Sequence, residues 1–115
     1  MNVLVHGSKK FSDYAVFMRA MGIALTDIKD SEFNVYSLGP VKVNNFTAEF
    51  CNMSEDSLKA RGIKVRHFKV PYSFATNNMR EMDAFFWMTT PDDKTIPTFV
   101  SIADRLDIPN YILRF

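Results

Sequence analysis

Short apolar runs alternate along the chain with segments whose apolar residues recur at helical spacing. Five runs closed by glycine, proline or polar residues are typical of strands: residues 3–5, 33–36, 63–70, 84–88 and 111–113. Apolar positions three and four residues apart predict helices at 14–28, 46–58 and 95–106, with a short helical turn at 79–82. Strands separated by helices predict right-handed crossovers and a parallel sheet. The sequence therefore predicts one α/β domain over residues 1–115, a three-layer Rossmann-like fold whose five-stranded parallel sheet has helices on both faces.

Individual residues mark the predicted ends of the helices. Ser12 or Asp13 can cap the first helix, and Gly62 is well placed to end the second. Gly22 lies inside the first apolar stripe, where glycine costs about 1 kcal/mol relative to alanine. We therefore expect Gly22 to lie where this helix packs against the sheet.

The charge of each apolar run predicts its place in the sheet. Residues 63–70 alternate apolar and basic side chains, which favours an edge strand because charges there block pairing with other chains. Residues 84–88 are the most apolar run and are expected in the interior, with their aromatic rings in the core. Residues 72–78, between these strands, are expected to form a loop.

Composition narrows the class of protein. The 115 residues are 47% apolar, which suits one compact domain. The 14 Lys+Arg against 13 Asp+Glu give a net charge of +1, which argues against general electrostatic binding to nucleic acid or to a membrane. No uncharged stretch is long enough to span a bilayer, and the first residues lack the order of a signal peptide, so the expected location is cytoplasmic. The single cysteine, Cys51, excludes an internal disulfide and a cysteine-based zinc cage, and no metal or cofactor is predicted.

The predicted fold directs attention to three loops. Ligands of parallel α/β sheets collect beyond the carboxyl ends of the strands, which here means residues 7–13, 39–45 and 89–95. The first loop contains Gly-Ser-Lys-Lys at a strand-to-helix turn, where backbone N–H groups, a helix N-terminus and two lysines favour an anion. The alternative is a Gly-Ser turn that serves folding alone.

Residues 3–13, VLVHGSKKFSD, resemble the opening of the small YspA-like branch of the SLOG superfamily, which is related to DNA-processing protein A and the LOG enzymes. Residues 78–84 and the ending from Thr95 to Pro109 are similar to later family motifs, so the resemblance covers nearly the whole chain. It implies a five-stranded parallel sheet that binds a nucleotide or nucleotide-derived ligand. Many such domains occur in phages, so the resemblance implies a phage accessory protein.

Carried onto this chain, the resemblance and the loop positions give one set of candidate ligand-binding residues. The set is Gly7, Ser8, Lys9, Lys10, Gly39, Asn78, Arg80, Thr89, Thr90 and Lys94. Gly7, Ser8 and Lys9 would hold phosphate. Asn78 and Arg80 would contact ribose or a second anion, while the two threonines close the far wall of the site.

Two loops depart from the family pattern. Residues 38–44 keep one glycine, Gly39, where the family has a glycine-rich stretch, and Pro40 there cannot donate an N–H. Residues 89–95 contain no glycine and no glutamate, where the LOG enzymes have a motif with a catalytic arginine and glutamate. These departures argue against hydrolysis and for binding without catalysis.

Several alternatives stay open. The basic residues Lys59, Arg61, Lys64, Arg66, His67 and Lys69 would suit an acidic protein or nucleic acid, or would only protect an edge strand. A degenerate scaffold of this kind could be a protein-interaction module that inhibits a host protein, and a homo-oligomer is compatible with it. His6 reads as a core histidine or a ligand contact. Asp92 and Asp93 read as solvated acids or a Mg²⁺ site beside a phosphate.

Overall fold

The computed structural model describes residues 1–26 and 28–114 and has the predicted order of strands and helices. The strands are β1 (Asn2–Gly7), β2 (Glu32–Ser37), β3 (Lys64–Lys69), β4 (Ala84–Thr89) and β5 (Asn110–Arg114). The helices are α1 (Tyr14–Thr26), α2 (Val41–Ala60), α3 (Tyr72–Asn78) and α4 (Thr98–Arg105), and a 3-10 turn at Met79–Glu81 joins α3 to β4. The predicted fold class, a compact Rossmann-like α/β domain, is confirmed.

All five strands are parallel, and their order across the sheet is β3-β2-β1-β4-β5. The chain moves outwards from β1 to β3 and then returns to the other side of β1 for β4 and β5. The order therefore reverses between β1 and β4, whose carboxyl ends are aligned with Gly7 opposite Met88. Ligands of such sheets bind outside the carboxyl ends at this reversal.

The inner strands feed two separate cores, because successive side chains point to opposite faces of the sheet. In β1, Val3 and Val5 pack on the side of α1 and α2, whereas Leu4 packs on the side of α3 and α4. In β4, Phe86 belongs to the first core and Phe85 to the second. All six residues of β4 are buried, which explains why this strand is an unbroken apolar run.

Strand β3 lies at the edge of the sheet, as its charges predict. His67 Nε2 and Ser37 Oγ are 2.8 Å apart and share a hydrogen bond that ties β3 to β2. Burial lowers the pKa of His67, and Lys69 lowers it further. Arg66 also pairs with Glu32 of β2 at 3.1 Å. Because Ser37 is fully buried, its contact with His67 is structural and offers no nucleophile to a ligand.

The helix boundaries confirm some local signals and correct others. Residues 72–78 form α3, so the prediction of a loop there is wrong. Buried Ala75 and half-buried Phe74 pack this short helix against the second core, and that packing outweighs the weak helix propensity of the segment. The last helix begins only after Pro97, which occupies its N-cap. In the described residues, none of the helices has the length and apolar character needed to cross a membrane.

Two helix ends follow the predicted chemistry, and one glycine does not. Asp13 Oδ1 accepts the backbone N–H of Ala15 at 2.9 Å and so caps α1. Gly62 has a φ of +77° just beyond α2, the left-handed conformation that ends many helices. Gly22 is exposed, and a Cβ added to it would meet nothing within 4 Å. The expectation that Gly22 packs against the sheet is therefore wrong.

Candidate ligand-binding site

A cavity of about 380 Å³ opens at the carboxyl edge of the sheet, where the strand order reverses. It is lined by His6, Gly7, Ser8, Lys9, Lys10, Pro40, Tyr72, Trp87, Asp93 and Thr95. These residues come from the carboxyl ends of β1 and β4 and from the segments that follow β1, β2, β3 and β4. Its size lies within the range of small-molecule sites, about 300–1,000 Å³. We call it the switch-point cavity.

A chain of hydrogen bonds runs along one side of the switch-point cavity. Thr89 Oγ1 lies 2.8 Å from Ser8 Oγ and 2.8 Å from Asp93 Oδ2. A hydroxyl has a single proton, and an ionised carboxylate only accepts. Thr89 therefore donates to Asp93 and accepts from Ser8. The proton of Ser8 is committed to Thr89, and the lone pairs of Ser8 Oγ are the part left for a ligand.

Asp93 is held in the ionised form that this chain requires. Its Oδ1 accepts the backbone N–H of Thr95 at 2.9 Å, while Oδ2 accepts from Thr89. The Thr95 backbone N–H, then the hydroxyls of Thr95 and Thr89, together with the nearby charge of Lys10, lower the pKa of Asp93 to about 2. Asp93 is consequently a carboxylate throughout the neutral range. Each of its two oxygens accepts a hydrogen bond from the protein.

His6 presents a second acceptor to the cavity. Its Nδ1 lies 2.8 Å from the Gly39 carbonyl oxygen, which can only accept, so Nδ1 carries the proton. Burial lowers the pKa of His6, and the hydrogen bond to Gly39 offsets only part of this effect. The imidazole is therefore neutral at pH 7, and its Nε2 keeps a free lone pair.

An aromatic wall surrounds the His6 ring. Its centroid lies 5.5 Å from Tyr72, 5.0 Å from Trp87 and 5.7 Å from Phe99, with edge-on or tilted geometry. Trp87 donates its indole N–H to the carbonyl of Thr95 at 3.1 Å, so it adds apolar surface and no free donor. Tyr72 is 59% exposed and forms the open side of this wall. A flat ring entering the cavity would meet these aromatic side chains.

The backbone cradle expected from the Gly-Ser turn is already occupied by internal hydrogen bonds. The Gly7 N–H donates to the Gly39 carbonyl at 3.2 Å, and the Ser8 N–H donates to the Met88 carbonyl at 3.0 Å. Asp13 places a carboxylate on the first turn of α1. Positive charge at the cavity comes instead from the side chains of Lys9 and Lys10, both of which are exposed.

Packing explains why residue 7 is glycine. A Cβ at this position would lie 2.8 Å from Val43 Cγ2 and 3.3 Å from the carbonyl oxygen of Met88. Gly7 thus lets β1 approach α2 and β4 closely, and this requirement stands without any ligand.

Three other predicted residues lie beside the cavity without lining it. Gly39 contributes its carbonyl, which accepts from both His6 and Gly7, and its own φ of +99° suits glycine. Thr90 is half-buried, and its hydroxyl makes no hydrogen bond of good geometry with the protein. The hydroxyl still lies close enough to Asp92 to be the main cause of the lowered pKa of the Asp92 carboxyl. Lys94 is exposed on the loop between two lining residues.

The structure does not bring Asn78 and Arg80 to the switch-point cavity. They lie at the end of α3 and in the 3-10 turn, next to the start of β1, where Asn2 donates to the carbonyl of Glu81. This is the amino edge of the sheet, and the cavity is at the carboxyl edge. Asn78 donates to Glu81 at 3.1 Å. Asn78 and Arg80 are therefore not among the residues that line the cavity.

Sequence reasoning missed the residues that form the walls. Tyr72 follows β3 and lies at the same edge as the loops that were singled out, so strand order was the available signal. Trp87 was assigned to the core, and its side chain is almost completely buried. It also lines the cavity, because its strand ends there. Asp93 was read as a solvated acid or a Mg²⁺ ligand, and Thr95 as the start of the last helix; neither was predicted to line a ligand site.

A second concavity, of about 450 Å³, lies between the end of α2 and the start of β3. Its lining includes Glu55, Lys59 and Lys64, whose side chains are exposed. No hydrogen-bond network comparable to the Ser8–Thr89–Asp93 chain is recorded among its described lining residues. The smaller switch-point cavity is therefore the better candidate for a specific ligand site.

Comparison with known proteins adds no assignment. No protein-family model matches the chain, and neither curated proteins nor solved structures show a significant match to it.

Proposed function

We propose that this domain binds a nucleotide or nucleotide-derived small molecule in the switch-point cavity without transforming it. The observation that carries the proposal is the joint position of an aromatic wall, two hydrogen-bond acceptors and two lysines at the point where the strand order reverses. Parallel α/β sheets bind their ligands at this point. The resemblance of residues 3–13 to SLOG domains supports the same class of ligand.

The two ends of a nucleotide suit different parts of the cavity. The exposed ring of Tyr72 offers a surface on which a base can stack, beside the buried rings of Trp87 and His6. Lys9 and Lys10 lie at the rim, where their ammonium groups can meet a phosphate without being desolvated. Asp93 also lines the cavity and repels an anion, which favours a phosphate placed towards Lys9 and away from this carboxylate.

Phosphate binding at this rim is expected to be moderate. Contacts between exposed charges contribute about 0.2–1 kcal/mol each, and Lys10 is also attracted by Asp92 and Asp93. Since the N–H groups of Gly7 and Ser8 have protein partners, they add nothing to the phosphate site. Affinity for the phosphate should therefore fall with rising salt concentration.

Thermal-shift and calorimetric titrations with nucleoside monophosphates, cyclic nucleotides, NAD and ADP-ribose test the proposal. A ligand present at 100 times its dissociation constant should stabilise the protein by about 2.7 kcal/mol. Replacing both lysines (Lys9→Ala/Lys10→Ala) should weaken binding by about twofold to thirtyfold, from the loss of two exposed ion pairs. Tyr72→Ala should weaken it as well through loss of the stacking surface.

The matched control is Lys59→Ala/Lys64→Ala, which removes the same charge at a different place, beside the second concavity. This variant should bind like the wild type. If none of the ligands binds, or if the two lysine variants lose affinity equally, the proposal is wrong.

The alternative function, a protein-interaction module, rests on β3. This strand has a neighbouring strand on only one of its two edges, and the side chains of Lys64 and Lys69 are exposed. Such an edge would suit an acidic partner strand. Absence of nucleotide binding, together with a native partner lost on Lys64→Glu/Lys69→Glu and retained on Lys9→Ala/Lys10→Ala, would favour this function.

A further inference from the structure

The directions of the hydrogen bonds inside the switch-point cavity limit the ligands that it can accept. Two side chains that line the cavity, Ser8 and His6, have their protons committed to protein acceptors. The groups that they leave for a ligand are therefore lone pairs. We infer that the cavity recognises a ring bearing a hydrogen-bond donor, such as an amino-substituted nucleobase, and disfavours a ring that offers only acceptors. This inference rests on the proposed function and specifies its ligand.

The commitment of the Ser8 proton follows from its neighbours. Asp93 is fixed as an acceptor, because its Oδ1 receives the Thr95 N–H at 2.9 Å and its Oδ2 lies 2.8 Å from Thr89 Oγ1. Thr89 must donate its only proton to Asp93, so the 2.8 Å contact between Thr89 and Ser8 is made with the Ser8 proton. Thr89 is fully buried, and no alternative partner among the described residues is recorded for its hydroxyl.

The commitment of the His6 proton follows from Gly39. A carbonyl oxygen 2.8 Å from Nδ1 fixes the proton on that nitrogen, and the neutral ring leaves Nε2 as an acceptor. The imidazole is only 6% exposed and is held among three aromatic rings, so it is pre-positioned and pays little entropy on binding.

A donor-bearing ring can donate to one of these acceptors, whereas an acceptor-only ring leaves both of them without a hydrogen bond from the ligand. Leaving a buried polar group unpaired is the costly outcome, and a site built to hydrogen-bond one ligand group rejects an analogue that lacks it. The aromatic wall of Tyr72 and Trp87 accepts either ring and does not discriminate between them. Selectivity is thus assigned to the acceptors.

Three nucleotides of nearly equal shape test the inference by calorimetry: the 5′-monophosphates of adenosine, purine riboside and inosine. Adenosine carries an amino group at position 6, purine riboside carries hydrogen there and has no ring donor, and inosine carries an oxygen there beside an N–H donor at position 1. The wild type should bind the adenosine nucleotide about tenfold or more tightly than the purine riboside nucleotide. It should also bind the inosine nucleotide more tightly than the purine riboside nucleotide, because inosine keeps a ring donor.

Asp93→Asn is the decisive variant because the Thr95 N–H favours one orientation of the new amide. With the amide oxygen in the Oδ1 position, where it accepts that N–H, the amide nitrogen faces Thr89. The nitrogen then donates to Thr89, Thr89 donates to Ser8, and Ser8 turns its proton towards the cavity. The preference for adenosine over purine riboside should shrink or invert. Thr89→Val provides the second variant, since it frees Ser8 from its acceptor and should also reduce the preference.

The outcomes separate this inference from the proposed function. Equal binding of all three nucleotides, or a wild-type preference for purine riboside over adenosine, overturns the inference and leaves nucleotide binding intact. An unchanged preference in both Asp93→Asn and Thr89→Val overturns it as well. If none of the three nucleotides binds and the wider ligand series also fails, both the proposed function and the inference fall.

Discussion

The two ends of the sheet contain similar polar residues that do different things. At the amino edge, Asn2 has partners within the protein for its backbone N–H (Asp83, 2.7 Å), its amide nitrogen (the Glu81 carbonyl, 3.2 Å) and its amide oxygen (Asn34, 2.9 Å). At the carboxyl edge, Ser8 and His6 each make one fixed hydrogen bond and keep acceptor capacity beside a cavity. The first cluster holds the strands together, and the second has capacity left for a ligand.

Asp83 and Asp93 show the contrast most directly, because one precedes β4 and the other follows it. Each accepts a backbone N–H, Asp83 from Asn2 at 2.7 Å and Asp93 from Thr95 at 2.9 Å. Asp93 also orients Thr89, and through it the Ser8 hydroxyl that lines the cavity. A carboxylate near a strand end is therefore informative about binding only when its hydrogen bonds lead to an open surface.

The largest expected effect concerns the close packing that builds the carboxyl edge. Gly7→Ala would place a Cβ 2.8 Å from Val43 Cγ2 and 3.3 Å from the Met88 carbonyl oxygen. Overpacking of this kind costs about 1–3 kcal/mol, and the loss should be seen as a lower free energy of unfolding in denaturant titrations.

Gly22→Ala is the matched control, since it makes the same chemical change where a Cβ meets nothing within 4 Å. Because alanine is the better helix former, this variant should gain up to about 1 kcal/mol. Equal stability of Gly7→Ala and the wild type would show that the end of β1 has room for a Cβ.

The middle-sized effect separates the two edges. Asp83→Ala removes a hydrogen bond that joins β4 to β1 and should cost about 0.5–1.5 kcal/mol of stability, with no change in nucleotide affinity. Asp93→Ala should change nucleotide affinity, because Thr89 then loses its acceptor and Ser8 its fixed direction. Parallel unfolding and calorimetric measurements on both variants check this. A loss of affinity in Asp83→Ala as large as in Asp93→Ala would contradict the separation.

Much of the fold was predictable, because the same residues that prefer strands also build the core. The unbroken apolar run of β4 and the charged β3 indicated an interior and an edge strand, and both positions are confirmed. The short helix α3 was not predictable from its own residues, since its stability comes from Phe74 and Ala75 docking on the second core. Local pattern therefore fails where an element is too short to carry its own periodicity.

The candidate site was predictable in position but only partly in content. The rule on carboxyl strand ends selected the loops that hold Ser8 and Asp93. The same rule should have excluded Asn78 and Arg80, because residues that directly precede a strand lie at its amino end. The tautomer of His6 and the proton direction at Ser8 depend on distances to residues far along the chain, namely Gly39 and Thr89. Sequence spacing carries no information about such contacts.

The smallest expected effect is a pH dependence that arises at the carboxyl edge. Burial lowers the pKa of His6 below its ordinary value of 6.5, and the hydrogen bond to Gly39 restores only part of it. Between that lowered pKa and pH 6.5 the unfolded chain binds more protons than the folded one, so stability should decline as pH falls below 6.5. His67 shifts in the same direction, which makes an assigned NMR titration of both imidazoles the appropriate measurement. A His6 midpoint at or above the value of the unfolded chain would mean that the ring carries charge near neutral pH. Of the two acceptors at the carboxyl edge, His6 and Ser8, only Ser8 would then remain.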